Sequence, residues 1–479
     1  MRRLLATWVC AGLLVGIIFL TPALTSFSDT GAQAHIPSSG MLAASRRWLF
    51  DPITLQWEPV GEAQTVHTQE AALCNVARND GFPICTATGW QLQPAMALHA
   101  ERSEFLVVWE DARNGTDLDI YGQRFTGDGH LLGSNFALVI GEHDQCVPSV
   151  FYDPVGAGYF LLWHHRHENG YTILGQRLSS TGAPVGTPFH ISPANGGQQW
   201  IPGAAYNPVT DQFLVVWEDM STSDIVGQRI TTRGDRIGEL ITVSTRPESQ
   251  WAPPLVAFDI VLAEYLVVWD ELAAGDIYGQ IVTSGGDLLG EDVLVCTARG
   301  KRFVSCVVGS STGEGYMVLW TDERALATHS SDVYGQRVGA DGTLSGGETA
   351  ISAGPGWQRD CVAAHDPAHN EYLLVWWDGR NECTASDIYG QRISVDGVLL
   401  GPNMPISVSD RNQVLPCLTY LETDERYRVV WQDWRNHMRQ GDNADIYGLL
   451  YSPQRFFQRF PHVVQRWFAA TFSPESSAR

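Results

Sequence analysis

The sequence predicts an all-β fold: a seven-bladed β-propeller of four-stranded antiparallel blades. Trp109, Trp163, Trp217, Trp269, Trp320, Trp376 and Trp431 recur at intervals of 54, 54, 52, 51, 56 and 55 residues, a period that suits propeller blades. Each Trp ends an apolar run, as in 372–376, and a segment like Asp387-Ile388-Tyr389-Gly390-Gln391-Arg392 follows it after a loop. The composition agrees, because 47 Gly and 17 Trp with only 18% charged residues suit many short strands and tight turns. Stacked repeats share a continuous core, so 479 residues read as one large domain rather than three.

The chain divides into a signal peptide and linker (1–34), a linker (35–46), the propeller (47–453) and an amphipathic tail (454–479). Met1-Arg2-Arg3, an apolar run over 9–20 and the small or polar residues 23–26 have the form of a secretory signal, with Ala32-Gln33-Ala34 as a second cleavage candidate. An uncleaved anchor is the alternative, although the apolar segment 4–20 is short against the roughly 20 residues a span needs. Both readings place the repeats outside the cytoplasm, secreted or at the cell surface. Beyond Cys10 in the signal, eight cysteines remain, and an even count in an exported chain favours disulfides. The expected pairs are Cys74 with Cys85 and Cys361 with Cys383.

Residues 61–68 resemble the tail of a repeat such as 238–244, and the last repeat stops near 451 without a tail of its own. Residues 61–68 are therefore expected as the outermost strand of the last blade, beside 446–451, closing the ring and removing two sheet edges. Within the first complete unit the four strands are read at 94–99, 105–110, 119–125 and 136–140. The second is apolar on both faces, as a sheet packed between two neighbours requires. A Gly recurs in the third strand at 122, 175, 227, 279, 335, 390 and 448. Gly weakens a strand, so a bulky ring, most simply the repeated Trp, is expected over it.

Loop lengths separate two faces of the ring. The third-strand Gly lies seven residues before the Gly of the next turn in all six complete copies, which marks fixed hairpins. The loop from Trp to the next strand's Asp instead runs from 7 residues at Trp217 to 14 at Trp431. Variable loops on a rigid scaffold more often carry function, so that face is the candidate binding face. Its inter-blade loops repeat Gln-x-x-Pro at Gln91, Gln145, Gln199, Gln250 and Gln413, with Gln358 lacking the Pro and Arg302 replacing the Gln. These side chains either satisfy backbone groups where innermost strands begin or face a ligand. Trp200, Trp251 and Trp357 flank them and could stack on sugars or pack between blades.

Acidic and basic residues follow four of the tryptophans: Asp111 with Arg113, Asp322 with Arg324, Asp378 with Arg380 and Asp433 with Arg435. Repetition in four copies favours turn capping and ion pairing within or between blades, with ligand contact as the competing role. Asp117-x-Asp119 and 442–445 offer hard oxygens of the kind calcium takes, but neither has EF-hand spacing, and no cofactor is expected. His164-His165-Arg166-His167 reads as surface loop rather than a metal site. Gly-rich phosphate loops, Gly-x-Ser-x-Gly and His-Glu-x-x-His are absent. The net charge of -22 opposes a nucleic-acid partner. In the tail, Phe456, Phe457, Phe460, Val463, Val464, Trp467 and Phe468 form an apolar stripe among arginines, interrupted by Pro461. It would dock on the propeller or meet a membrane surface or a partner.

Through the repeated Val-Val-Trp-x-Asp and Asp-Ile-Tyr-Gly-Gln-Arg units, residues 47–453 resemble the exported bacterial β-propeller repeat proteins. Residues 316–322 are distantly similar to the Tyr-Trp-Thr-Asp propeller repeat, while the WD-repeat Gly-His and the sialidase Asp-box are missing. The resemblance implies the fold and extracytoplasmic binding and transfers no catalytic residue. The function expected is a non-catalytic module that binds a protein or glycan on the variable-loop face. The alternative is a carbohydrate-active hydrolase or lyase using loop carboxylates at the channel mouth.

Overall fold

A computed structural model describes residues 48–51, 56–59 and 81–453, except 116, 169, 194–198, 247–252, 272–273, 298–299, 311–312, 326–330, 382–384 and 437–443. Strands β1 (Trp48–Asp51) and β2 (Gln56–Pro59) form a two-stranded antiparallel sheet of their own. From Phe82 to Tyr451 the chain forms seven four-stranded antiparallel sheets. Blade 1 is β4 (Gln91–His99), β5 (Glu104–Asp111), β6 (Asp119–Thr126) and β7 (Leu131–Val139). The innermost strands of blades 2 to 6 are β8 (Gln145–Asp153), β12 (Gln199–Asn207), β16 (Leu255–Asp259), β20 (Arg302–Gly309) and β24 (Gln358–Asp366), each followed by three more in order.

Blade 7 is composite. It contains β28 (Gln413–Leu421), β29 (Arg426–Asp433) and β30 (Asp445–Tyr451), and its fourth strand is β3 (Phe82–Cys85). Phe82 pairs with Gly448, Pro83 with Tyr447 and Cys85 with Ile446. An N-terminal strand thus closes the ring, but it is not 61–68, which lie outside the described residues. Side-chain fit explains the choice: Ile84 and Cys85 are buried against Phe105, Val107, Val430 and Ile446, and Phe82 packs edge-on against Phe125 with centroids 5.9 Å apart. Pro83, which lacks an N–H, is tolerated because this strand is the blade's outer edge.

The core consists of seven inter-blade seams rather than one centre. Each apolar cluster joins two neighbouring blades, from the seam of Ala97, Leu106, Val150 and Leu161 between blades 1 and 2 to that of Leu373, Met404, Tyr427 and Val429 between blades 6 and 7. All seven repeated Trp side chains are sealed in these seams, at most 1% exposed. Every second strand meets a neighbour on both faces, which accounts for its continuous apolar run.

The motif Gln has a structural task in all six complete blades. At a register shift between the third and fourth strands, Nε2 of Gln123 donates to the carbonyls of Arg124 and Leu132, and Gln176, Gln228, Gln280, Gln336 and Gln391 repeat the arrangement. The fixed hairpins are uniform too, with the turn Gly donating its N–H three residues back, from Gly129 to Thr126 O at 2.9 Å through Gly397 to Ser394 O at 2.9 Å. The third-strand Gly is not covered by the Trp. A Cβ at Gly122 would lie 3.0 Å from Leu138, at Gly390 2.7 Å from Ile406 and at Gly448 2.9 Å from Ile84. Side chains of the blade's own fourth strand occupy that space in these blades, whereas at Gly227 and Gly279 it is taken by Leu214 and Leu266 of the second strand.

The expected pairs Cys74 with Cys85 and Cys361 with Cys383 each have one partner among the described residues. Cys85 and Cys361 carry free, buried thiols, and Cys74 and Cys383 lie outside the described residues. Cys85 and Cys296 end outermost strands at the position that Ser352 and Ser407 hold in other blades, so these cysteines act there as small seam residues. Cys361 sits within the seam of Leu374 and Trp376.

Candidate variable-loop face

Antiparallel order puts the second-to-third-strand loops and the inter-blade loops on one side of the ring, and the hairpins on the other. On the loop side each innermost strand is tied to the preceding blade. The N–H of Gln91 donates to Ala444 O at 2.8 Å, Gln145 to Leu118 O at 2.7 Å, Gln358 to Ser331 O at 2.9 Å and Gln413 to Ser386 O at 2.8 Å.

The repeated Gln side chains are buried, between 0% and 2% exposed at 91, 145, 199, 358 and 413. Their amides serve groups nearby. Gln91 Nε2 donates to Gly89 O at 3.0 Å, Gln358 Nε2 to Gly356 O at 2.9 Å and Gln413 Nε2 to Asp433 Oδ2 at 2.9 Å. Gln145 Nε2 reaches His143 O at 3.1 Å, and Gln199 Nε2 lies 3.5 Å from Asp219 Oδ2. Arg302 keeps the same habit, donating through Nη2 to Gly300 O at 3.0 Å. Gln250 and Trp251 lie outside the described residues. The Gln positions are thus strand-start fasteners rather than an exposed ring of amides.

The acid–base pairs form one clasp in blades 1, 5, 6 and 7. Trp109 Nε1 donates to Asp111 Oδ2 at 2.7 Å, Trp320 to Asp322 at 2.9 Å, Trp376 to Asp378 at 2.8 Å and Trp431 to Asp433 at 2.7 Å. All four carboxylates are fully buried. Arg113, Arg324, Arg380 and Arg435 then bind the same Asp through both backbone N–H and guanidinium. Each guanidinium lies over the ring of the motif Tyr, 4.0 Å from Tyr121, 4.3 Å from Tyr334, 4.5 Å from Tyr389 and 4.0 Å from Tyr447. It also reaches back to the preceding blade, where Arg380 Nη2 donates to Ser352 Oγ at 2.7 Å and Arg113 Nη2 lies 3.3 Å from Cys85 Sγ. Asn114, Asn381 and Asn436 complete three of the clasps by donating to Asp119, Asp387 and Asp445. One unit therefore roots each long loop and holds a seam.

Blades 2 to 4 depart from the clasp. In blade 2, Trp163 Nε1 donates to Gln145 Oε1 at 2.7 Å; the indole nitrogens of Trp217 and Trp269 are buried without a partner in blades 3 and 4. His164 stacks on Tyr171 with centroids 4.4 Å apart and donates through Nε2 to Gln199 O. Burial pushes its pKa down to about 4, so the ring is neutral. Half-buried Trp200 meets both rings edge-on, at 5.6 Å and 5.5 Å. Trp357 is half-buried beneath Arg359, whose guanidinium is 4.2 Å from the ring and pairs with Glu323 at 2.6 Å.

Sequence reasoning missed a further set, the residue directly after each Trp. Glu110 Oε1 accepts the N–H of Val147 at 2.7 Å, Asp270 Oδ1 that of Val304 at 3.3 Å and Gln432 Oε1 that of Gln93 at 3.4 Å. Each acceptor thus meets the irregular start of the next blade's innermost strand. Burial pushes Glu110 and Glu218 up to about 8 and Asp270 up to about 7. The available signal was an acidic residue ending an otherwise apolar strand. Among the described residues no group of three or more His, Cys, Asp or Glu could hold a metal ion, and Asp117 and Asp119 form no such group.

No protein-family model matches the chain, and no curated protein is similar to it in sequence. Solved structures resemble it at low identity. Kuenenia stuttgartiensis hydrazine synthase aligns with a TM-score of 0.48 and 10% identity over 81% of this chain and 99% of that one. The Pseudomonas aeruginosa periplasmic gluconolactonase aligns with a TM-score of 0.45 and 12% identity over 66% and 87%. A Bacteroides thetaiotaomicron endo-arabinase aligns with a TM-score of 0.37 and 13% identity over 70% and 99%.

Proposed function

We propose that this chain is an extracytoplasmic, non-catalytic binding module that takes a protein or glycan on its variable-loop face. The observation that carries this reading is the clasp: it fixes the bases of loops of unequal length on a rigid ring. The repeated Asp, Arg and Gln groups are engaged within and between blades, so discrimination falls to loop residues that differ from blade to blade. Half-buried Trp200 and Tyr171, at the seam of blades 2 and 3 where no clasp stands, supply aromatic surface of the kind that stacks on sugars.

A hydrolase or lyase would need carboxylates that meet a substrate. Those with pKa values raised toward neutrality, Glu110, Glu218, Asp270 and Asp445, are at most 3% exposed. Glu110 and Asp270 each accept a backbone N–H of the next blade and Asp445 accepts from Asn436, so fastening explains these three without catalysis. The test is a glycan array with the exported protein, run with and without calcium, beside two charge-reversal sets. One set alters the loops 110–118, 321–331, 377–386 and 432–444; the other alters Asp128, Asp235, Asp287, Asp341 and Asp396 on the hairpin face. Binding abolished only by the hairpin set, with both proteins folded, would overturn the assignment.

A further inference from the structure

The hairpin face is less uniform than its turns suggest. Where innermost strands end, a buried Asp or Asn caps the turn into the second strand: Asp153 Oδ1 accepts the N–H of Val155, Asn207 Oδ1 that of Val209 and Asp259 Oδ1 that of Val261. These caps hold the three valines outward, 70%, 61% and 59% exposed. The equivalent positions in blades 1, 6 and 7 are Glu101, Ala368 and Thr423. The residue before each cap is also aromatic and half-buried in those three blades, namely Tyr152, Tyr206 and Phe258. Blades 2 to 4, neighbours in the ring, therefore each add an exposed valine beside a buried cap and a half-buried aromatic residue, an arc of three.

The arc lies in an acidic setting. Asp128, Asp235, Asp287, Asp341 and Asp396 are exposed on the hairpins and Glu101 on a neighbouring turn, against exposed Arg102, Arg233 and Arg236. An anionic membrane would be repelled by such a face. A basic, aromatic segment would fit it.

The chain supplies one at that place. β30 is a third strand, and Tyr451 pairs with Tyr427 just after the turn from the innermost strand, so the chain leaves blade 7 on the hairpin face. Residues 454–479 then carry Arg455, Arg459, Arg466 and Arg479 against a single acid, Glu475, together with the stripe from Phe456 to Phe468. Even wholly helical, 26 residues reach about 39 Å, comparable with a domain's width. We propose that the C-terminal segment 454–479 docks across the hairpin face of its own propeller, setting its aromatic stripe on the arc of Val155, Val209 and Val261 and its arginines against the surrounding carboxylates. The face opposite the variable loops is thereby occupied within the chain itself.

The test uses the full chain with Trp467→p-benzoylphenylalanine as a photo-cross-linking probe, mapped by mass spectrometry. Links are expected within one molecule to 152–157, 206–211 or 258–263. Their yield should fall roughly tenfold in V155D/V209D/V261D, and 1 M salt should lower it by screening the ion pairs. Should the triple variant lose its fold by circular dichroism, Phe456→Ser/Phe457→Ser in the tail, with the probe kept, is expected to give the same loss. Links between two copies, links to the variable-loop face, links only to added anionic vesicles, or an unchanged yield in a folded variant would each overturn the proposal.

Discussion

Asp378→Ala tests whether the clasp is one energetic unit. The buried carboxylate of Asp378 accepts four bonds, from Trp376 Nε1 at 2.8 Å, Arg380 N at 2.9 Å, Arg380 Nε at 2.8 Å and Arg380 Nη2 at 2.5 Å. Truncation strands a buried indole N–H, at about 1–3 kcal/mol, and frees a backbone N–H at about 1 kcal/mol. With the charged contact added, the loss should be about 3–5 kcal/mol. Arg380→Ala leaves the carboxylate buried without its cation but keeps two neutral donors, and should cost about 2–3 kcal/mol. The double variant should cost little more than Asp378→Ala alone, because Arg380, 27% exposed, is readily hydrated once its partner is gone. Guanidinium denaturation of the four proteins closes the cycle, and the expected coupling is about 2 kcal/mol. Additivity within about 0.5 kcal/mol would refute the clasp as a unit and reduce it to adjacent bonds.

Ring closure through Phe82–Cys85 predicts that Ile84→Asp, which puts a charge into the seam of blades 7 and 1, lowers stability by more than about 4 kcal/mol; a variant that melts with its parent would remove the assignment. Arg428, 1% exposed, pairs with Asp424 at 2.7 Å and donates to Gly127 O in blade 1, so Arg428→Ala should cost about 3 kcal/mol and Arg428→Lys most of that, as read by denaturation. Glu110 is raised from 4.5 to about 8, so the native state binds the extra proton. That contribution is complete below the unfolded value and is lost as pH rises through about 8. Glu110→Gln keeps the acceptor for Val147 and should gain stability relative to wild type between pH 5 and 8.5; parallel pH–melting curves would contradict this. Cys306 and Cys417 are half-buried, and desolvation pushes each thiol up to about 11, so both should react with maleimide far more slowly in folded protein at pH 8 than in guanidinium, and equal rates in both states would be contrary evidence.

Blade number, fixed hairpins and the loop-bearing face were legible because each rests on a repeated spacing that local geometry enforces. The closing strand was not. Residues 61–68 share a motif with other outermost strands, whereas Phe82–Cys85 has only four residues and a Pro, and what selects it is the fit of Ile84 and Phe82 into a seam where Phe105 and Val107 meet Val430 and Ile446, more than 300 positions away. Spacing could show that Asp378 and Arg380 belong together, but not that Trp376 and Tyr389 complete their clasp, since that meeting depends on the antiparallel register Trp376–Tyr389. The packing role of Cys85 and Cys296 was not legible either, because Cys and Ser fill one small position at the end of outermost strands, a role that sequence does not distinguish from bridge formation. Glu110, Glu218 and Asp270 were passed over for a similar reason: a carboxylate at a strand end reads as solvent-facing until the next blade is placed against it.

Because blade 7 draws its fourth strand from residues 82–85 and its other three from 413–451, the ring is latched only when the first-made of its strands meets the last-made ones. During synthesis six blades can stack in succession, and Ile84 and Phe82 can lie against Phe105 and Phe125 of blade 1, yet their strand has no backbone to pair with until Ile446 and Gly448 exist. The growing chain thus keeps a free edge at each end, and a ribosome holding back the last fifty residues would keep it unlatched. The order of manufacture makes the final strand the key that turns a stack into a ring.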